Sequence, residues 1–267
     1  MIVRFGHVTN PFSRPVELAL ERGYFDEASV RLELTRYPNG SAVAAALAAG
    51  EIDAGVGGHV QTLGAAQVFF APLGFEEAPG HLPIALVARP GISSGRELAG
   101  HAVGMSARGA ISELQLRIYM HAEGAAFETL RLEAMPFTEL AEAMRSGAIA
   151  AASAPEPFAT QLVADGLGNA IDRGSLSRGV RPGERALITG LAAERRWVES
   201  NRNAAHRVAE AVGRAVDELA PDETPNTPRF SRHLDPAELQ RVYDLAFEHG
   251  LLERPADARE TIVALGG

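Results

Sequence analysis

Three side chains in this sequence have the type and the setting to do chemistry: His59, Arg108 and Glu156. His59 follows Gly57 and Gly58 at the end of an apolar run. An imidazole there can donate to a ligand, or act as a general base in an enzyme. Glu156 stands between Pro155 and Pro157, where its carboxylate can bind a ligand amine or bridge two parts of the molecule. As an acid/base pair, His59 and Glu156 would suit a cytosolic lyase, decarboxylase or dehydratase working without metal or cofactor. The simpler reading gives the chain no catalytic residue and makes both of them ligand contacts.

Arg108 precedes a predicted helix, with Ser106 and Gly109 beside it. Helix N-termini attract anions through unpaired N–H groups and the dipole, and arginine adds a forked donor for carboxylate, sulfonate or phosphate. Thr9 and Asn10 offer hydrogen bonds just past the first predicted strand. Phe12 offers a ring, for stacking on a ligand or for ordinary packing. Ser41 is placed to cap a helix, and Gly58 lets backbone N–H groups approach a ligand.

Other chemistries are excluded or unsupported. The 267 residues contain no cysteine, so disulfides and thiolate nucleophiles are absent. The histidines show no HxxxH or HExxH spacing, and no dinucleotide or phosphate-loop glycine pattern appears. No metal and no cofactor is expected. A net charge of −9 argues against nucleic acid as a partner. No apolar run reaches the ~20 residues of a membrane-spanning helix, so no membrane insertion is expected.

The elements that position these residues read as an α/β chain. The first ~60 residues follow a β-α-β-α-β pattern, the signature of a parallel doubly wound sheet. Residues 41–60 read as helix, glycine stop, buried strand and glycine loop. Residues 138–157 repeat the pattern ninety-seven positions later, with Gly147 for Gly50 and Ile149 for Ile52. The repeat predicts two similar doubly wound α/β lobes, residues 1–86 with 187–267 and residues 87–186. A ligand cleft would lie between them, with hinges near 85–90 and 181–189. Helices are predicted over 60–71, 110–123, 158–165, 236–249 and 255–265, one long helix or two over 192–219, and a surface loop over 221–228. Trp197 is predicted to pack on the long helix. Aromatic residues are too few for a sugar-stacking cleft.

Four segments in order carry a family likeness. Gly23-Tyr24-Phe25 before residues 30–33, AAGEIDAGVG at 48–57, Glu97-Leu98-Ala99-Gly100 before Val103-Gly104, and Pro155-Glu156-Pro157-Phe158 resemble periplasmic-type substrate-binding proteins. The likeness spans roughly residues 2 to 220 and is to the NMT1/THI5-like and sulfonate-binding branch. It implies two lobes closing on a small-molecule ligand of sulfonate, carboxylate or pyrimidine type, and an ABC permease as partner. The cysteine-dependent chemistry of some relatives cannot occur here. Met1 leads directly into strand-like IVRFGHV. That start fits a cytoplasmic protein, or a periplasmic or extracellular one whose signal has been removed. An effector domain of a transcription regulator is disfavoured, because no helix-turn-helix precedes the first strand.

Overall fold

A computed structural model of the protein describes residues 1–63, 67–78, 80–219 and 226–265. In chain order the strands are β1 (Ile2–Val8), β2 (Arg31–Tyr37), β3 (Ala54–Gly58), β4 (Gln67–Glu76), β5 (Ile84–Ala88), β6 (Ala102–Met105), β7 (Arg131–Ala134), β8 (Ala151–Pro155), β9 (Asn169–Arg173), β10 (Ala186–Glu194) and β11 (Arg229–Phe230). The helices are α1 (Arg14–Glu21), α2 (Tyr24–Glu27), α3 (Gly40–Ala48), α4 (His59–Thr62), α5 (Gly95–Leu98), α6 (Ile111–Ala122), α7 (Leu140–Ser146), α8 (Phe158–Ala164), α9 (Ser175–Gly179), α10 (Arg195–Ser200), α11 (Arg202–Glu218), α12 (Pro236–Glu248) and α13 (Ala258–Thr261).

The strands form two sheets with congruent order. One runs β11-β4-β10-β3-β1-β2 and the other β7-β6-β8-β5-β9. In each, a first strand lies between two parallel neighbours: β1 between β2 and β3, and β6 between β7 and β8. An antiparallel strand follows in each, β10 beside β3 and β5 beside β8. The sheets are thus mixed, three parallel strands extended by antiparallel ones. The repeat seen in the sequence extends to packing. A Cβ on Gly6 would lie 2.5 Å from Cδ1 of Ile52, and one on Gly104 would lie 2.6 Å from Cδ1 of Ile149.

Helix ends follow local rules. Gly50 and Gly147 take left-handed backbone with φ of 68° and 81°, which stops α3 and α7. Asp235 and Glu238 form a reciprocal capping box at the start of α12. The cap of α3 is Asn39, whose side chain accepts from Ala42 N at 2.9 Å. Ser41 is therefore not the cap; it lies inside the first turn. Of the one or two helices predicted over 192–219, two form, α10 and α11, which meet at Asn201, while residues 192–194 belong to β10. Partly buried Trp197 packs against the cluster to which α11 contributes Val208 and Val212, with its ring centroid 6.4 Å from that of Phe70.

Several expectations fail. The helix predicted over 60–71 is one turn, α4, and Gln67–Glu76 is a ten-residue strand. Valine and paired phenylalanines at 68–70 favour a pleated, half-buried surface and win over the helical reading. β9 and α9 were not foreseen. The tail predicted as a helix over 255–265 forms one turn, and Ile262 then bridges to Phe69 of β4. Most of the loop predicted over 221–228 lies outside the described residues. All of β5 pairs within the second sheet, so the first crossing is the 77–83 segment and not residues 85–90. The second crossing ends where β10 enters the first sheet at Ala186.

An apolar cluster joins the lobes beside these crossings. It gathers Phe12 and Ile188 from the first lobe, Leu114 and Ile118 of α6 from the second, and Val242 and Leu245 of α12. Arg117 Nη1 on α6 also donates to His249 O beyond α12, at 3.1 Å.

Candidate functional site

Residues at or just past the C-terminal ends of β1, β3, β6 and β8 line one cavity of about 70 Å³: Val8, Gly58, Ser106 and Pro155. Ligand loops of open α/β sheets sit at such strand ends. Asn39 spans the lobes beside it, its side-chain amide donating to Ser106 O at 3.0 Å. The walls are mostly apolar, with Phe12, Ile84, Ile111 and Ile188 prominent. None of the described lining residues carries a charge.

Two hydroxyls in this lining lack a partner. Ser112 is 4% exposed and Thr189 8% exposed, and neither side-chain oxygen is hydrogen-bonded. A buried unpaired hydroxyl costs roughly 1–3 kcal/mol, so a partner supplied by a ligand is favourable. Ser112 belongs to the first turn of α6, which starts at Ala110 without a side-chain cap. The first N–H groups of a helix have no intrahelical partner, and the dipole is positive there. Ala110, Ile111 and Ser112 all line the cavity. The site therefore offers donors and a positive helix end, without a full counter-charge among the described lining residues.

Of the residues singled out from the sequence, Asn10, Phe12, Gly58 and Ser106 line this cavity. Asn10 Oδ1 accepts from Phe12 N at 3.1 Å, which holds the turn after β1. Phe12 also packs in the cluster that joins the lobes, so both readings of its ring apply. A Cβ on Gly58 would lie 2.6 Å from Gln61 Oε1, so glycine is required for the Gln61 amide to lie against β3. Ser41 accepts from Gln61 Nε2 at 2.6 Å and stands behind the lining.

The others lie elsewhere. Thr9 is exposed and borders a separate depression of about 520 Å³ with Pro157 and Phe158. Arg108 is exposed and points along the second lobe, donating to Leu132 O at 3.3 Å. Gly109 donates its N–H to Glu113 Oε2 at 2.8 Å, so the loop before α6 is closed internally. Glu156 is buried and ion-paired with Arg173 at 2.7 Å, and its other oxygen accepts from Thr160 N at 3.0 Å. It does not line the cavity. The side chain of His59 lies outside the described residues. Ser112, Thr189 and Gln61 escaped the sequence reading. Only Thr189 carried a signal, as the lone hydroxyl within apolar Leu187-Ile188 and Gly190-Leu191.

Among the described residues, no group of three or more histidines and carboxylates could hold a metal, and no helix is long and apolar enough to cross a membrane.

A profile of the NMT1-like family matches residues 85–228, more than half of the chain. The chain belongs to the NMT1-like family. No curated protein sequence matches it. Among solved structures, this NMT1-like protein is similar to the alkanesulfonate-binding protein SsuA of Xanthomonas axonopodis pv. citri bound to MOPS. The TM-score is 0.79 at 16% identity, covering 98% of each chain. A ligand-binding component of an ABC-type import system from Staphylococcus aureus, with zinc bound, gives a TM-score of 0.76 at 15% identity, covering 99% of this chain and 97% of that one. The periplasmic nitrate-binding protein NrtA of Synechocystis gives 0.67 at 14% identity, covering 81% and 61%. At these identities the likeness is one of fold, the two-lobed periplasmic-binding-protein fold with its cleft between lobes.

Proposed function

We propose that this protein binds a small organic solute between its lobes and hands it to an ABC permease. The observation that carries the reading is the pair of buried, unpaired hydroxyls, Ser112 and Thr189, beside the uncapped start of α6 in the interlobe cavity. A ligand with an acceptor-rich end would satisfy both hydroxyls and the first N–H groups of the helix. Sulfonates, carboxylates and pyrimidines all have such an end. Asn10, Phe12, Gly58 and Ser106 would complete the lining. The family membership and the solved neighbours named above support this reading. The role would place the protein in the periplasm or outside the cell.

The test is thermal melting with a panel of small sulfonates, aromatic carboxylates and pyrimidines, followed by mass spectrometry of each mixture. A ligand at 100 times its Kd adds ~2.7 kcal/mol of stability. Stabilisation by a compound that is recovered intact, and its loss in Ser112→Ala with Thr189→Val, is the expected result. Consumption of the compound would overturn the reading in favour of an enzyme.

A further inference from the structure

Glu76, the last residue of β4, is a carboxylate with no exposed surface, and it stands beside the first crossing. Its hydrogen-bond partners come from elements beyond that crossing. Gln115 Nε2 on α6 donates to Oε2 at 2.6 Å. Ser177 on α9 donates to Oε1 twice, from N at 2.9 Å and from Oγ at 3.0 Å. One acid side chain of the first sheet is thus held by two helices that precede the return of the chain at β10.

We propose that Glu76 is a proton-operated latch, protonated when the lobes close and ionised when they open. A rotation that carries α6 and α9 away from β4 admits water to the carboxyl group, and hydration favours its charged form. Closure reverses this and takes up a proton. The partner for that proton is in place. Gln115 Oε1 is buried and has no hydrogen bond, so a half-turn of the amide presents it to a protonated Glu76. Burial pushes the Glu76 carboxyl up to about 7, against the hydrogen bonds from Ser177, with the charge of Asp172 adding to the rise.

The charged groups around Glu76 are few. Asp172 of β9 is paired with Arg178 of α9. On α6, Glu113 and Arg117 pair with each other at 2.8 Å. Arg185, just before β10, is paired with Glu238 of α12 at 2.7 Å. Glu77, next on the strand, lies 3.5 Å from Arg229. No cation contacts Glu76 itself among the described residues, so its proton is the one charge adjustment available there. His249, 5.1 Å from the His121 ring between α12 and α6, is held below its ordinary value by burial and by His121. Its protonation would push those helices apart at low pH, the opposite sense to Glu76, and it is retained in the variants below.

The latch is independent of any ligand, so it can fail while solute binding stands. The experiment is small-angle scattering of the ligand-free protein from pH 5.5 to 8.5, with circular dichroism to confirm folding at each pH. The expected result is a radius of gyration that grows with pH, with a midpoint no higher than about 7, the value to which burial raises the closed carboxyl. Glu76→Gln should stay compact throughout. Ser177→Ala removes one hydrogen bond that holds the carboxylate in the closed form, and should leave the midpoint in place or lower it. A wild-type radius that does not change with pH would overturn the proposal. So would an unchanged pH response in Glu76→Gln, or a raised midpoint in Ser177→Ala.

Discussion

Ile149 packs so closely over Gly104 that no side chain fits at residue 104. A Cβ on Gly104 would sit 2.6 Å from Cδ1 of Ile149 and 2.8 Å from Cδ2 of Leu140, both fully buried. Gly104→Ala therefore overpacks the second lobe, and destabilisation of about 1–3 kcal/mol is expected in urea unfolding. Ile149→Val removes the obstructing methyl group. The double variant should recover part of the loss, giving a favourable coupling in a double-mutant cycle. Additive costs would refute the contact.

The pH dependence of folding follows from Glu76. Its carboxyl is raised by burial to about 7, above the ordinary 4.5 of the unfolded chain. The unfolded state therefore loses its proton first as pH rises. Stability is fully present below 4.5 and falls as pH climbs to about 7, by about 3 kcal/mol in all. Unfolding midpoints in urea at pH 5 and pH 8 measure this. Glu76→Gln should flatten that part of the curve.

Thr189 has a divided role. In the free protein its hydroxyl is buried and unpaired, so Thr189→Val should leave stability unchanged or raise it by up to about 1 kcal/mol. The same substitution should weaken the stabilisation given by a bound solute about tenfold in apparent affinity, near 1.4 kcal/mol. Melting with and without the solute separates the two effects. A loss of free-protein stability would mean that Thr189 holds the fold together instead.

Glu156 is expected to be structural. Arg173→Met strands a carboxylate that is 7% exposed, and breaking a buried pair costs about 3–5 kcal/mol. Solute affinity, measured by titration on the folded fraction, should stay within about threefold, a change worth under 1 kcal/mol. A large loss of affinity at full stability would return Glu156 to the binding site.

Asn39 ties a helix cap to lobe closure. Asn39→Ala removes the bond to Ala42 N, costing about 0.5–2 kcal/mol, and also the bond to Ser106 O across the lobes. Asn39→Ser keeps a cap but is too short to reach Ser106. It should retain stability while binding more weakly. Equal binding by Ser and Asn variants would show that the cross-lobe bond is idle.

Much of the architecture was legible because it rests on local signals. Gly50 and Gly147 stop helices wherever they occur, and the Asp235-Pro236 start of α12 needs no tertiary help. The losses came where tertiary pairing decides. β4 and β9 are fixed as strands by pairing with antiparallel neighbours far along the chain, which outweighed the helical spacing read over 60–71. At the site, glycine loops and the turn after β1 were found, because backbone approach has a sequence signature. Arg108 and Glu156 each have a partner in their own lobe, Leu132 O for one and Arg173 for the other, and such a partner has no sequence signature. Ser112 was invisible, since a hydroxyl in a first helical turn means little until its lack of a partner is seen.

The congruent sheet orders have a consequence for synthesis. Every strand of the second sheet lies between residues 84 and 173, a contiguous stretch. The first sheet needs β10, which ends at Glu194, inserted between β3 and β4, and then β11 at Arg229–Phe230. As the chain leaves the ribosome, the lobe that begins first must therefore finish last. For the time needed to make over a hundred residues, the open flanks of β3 and β4 wait unpaired, and sheet edges in that state are where chains stick to one another.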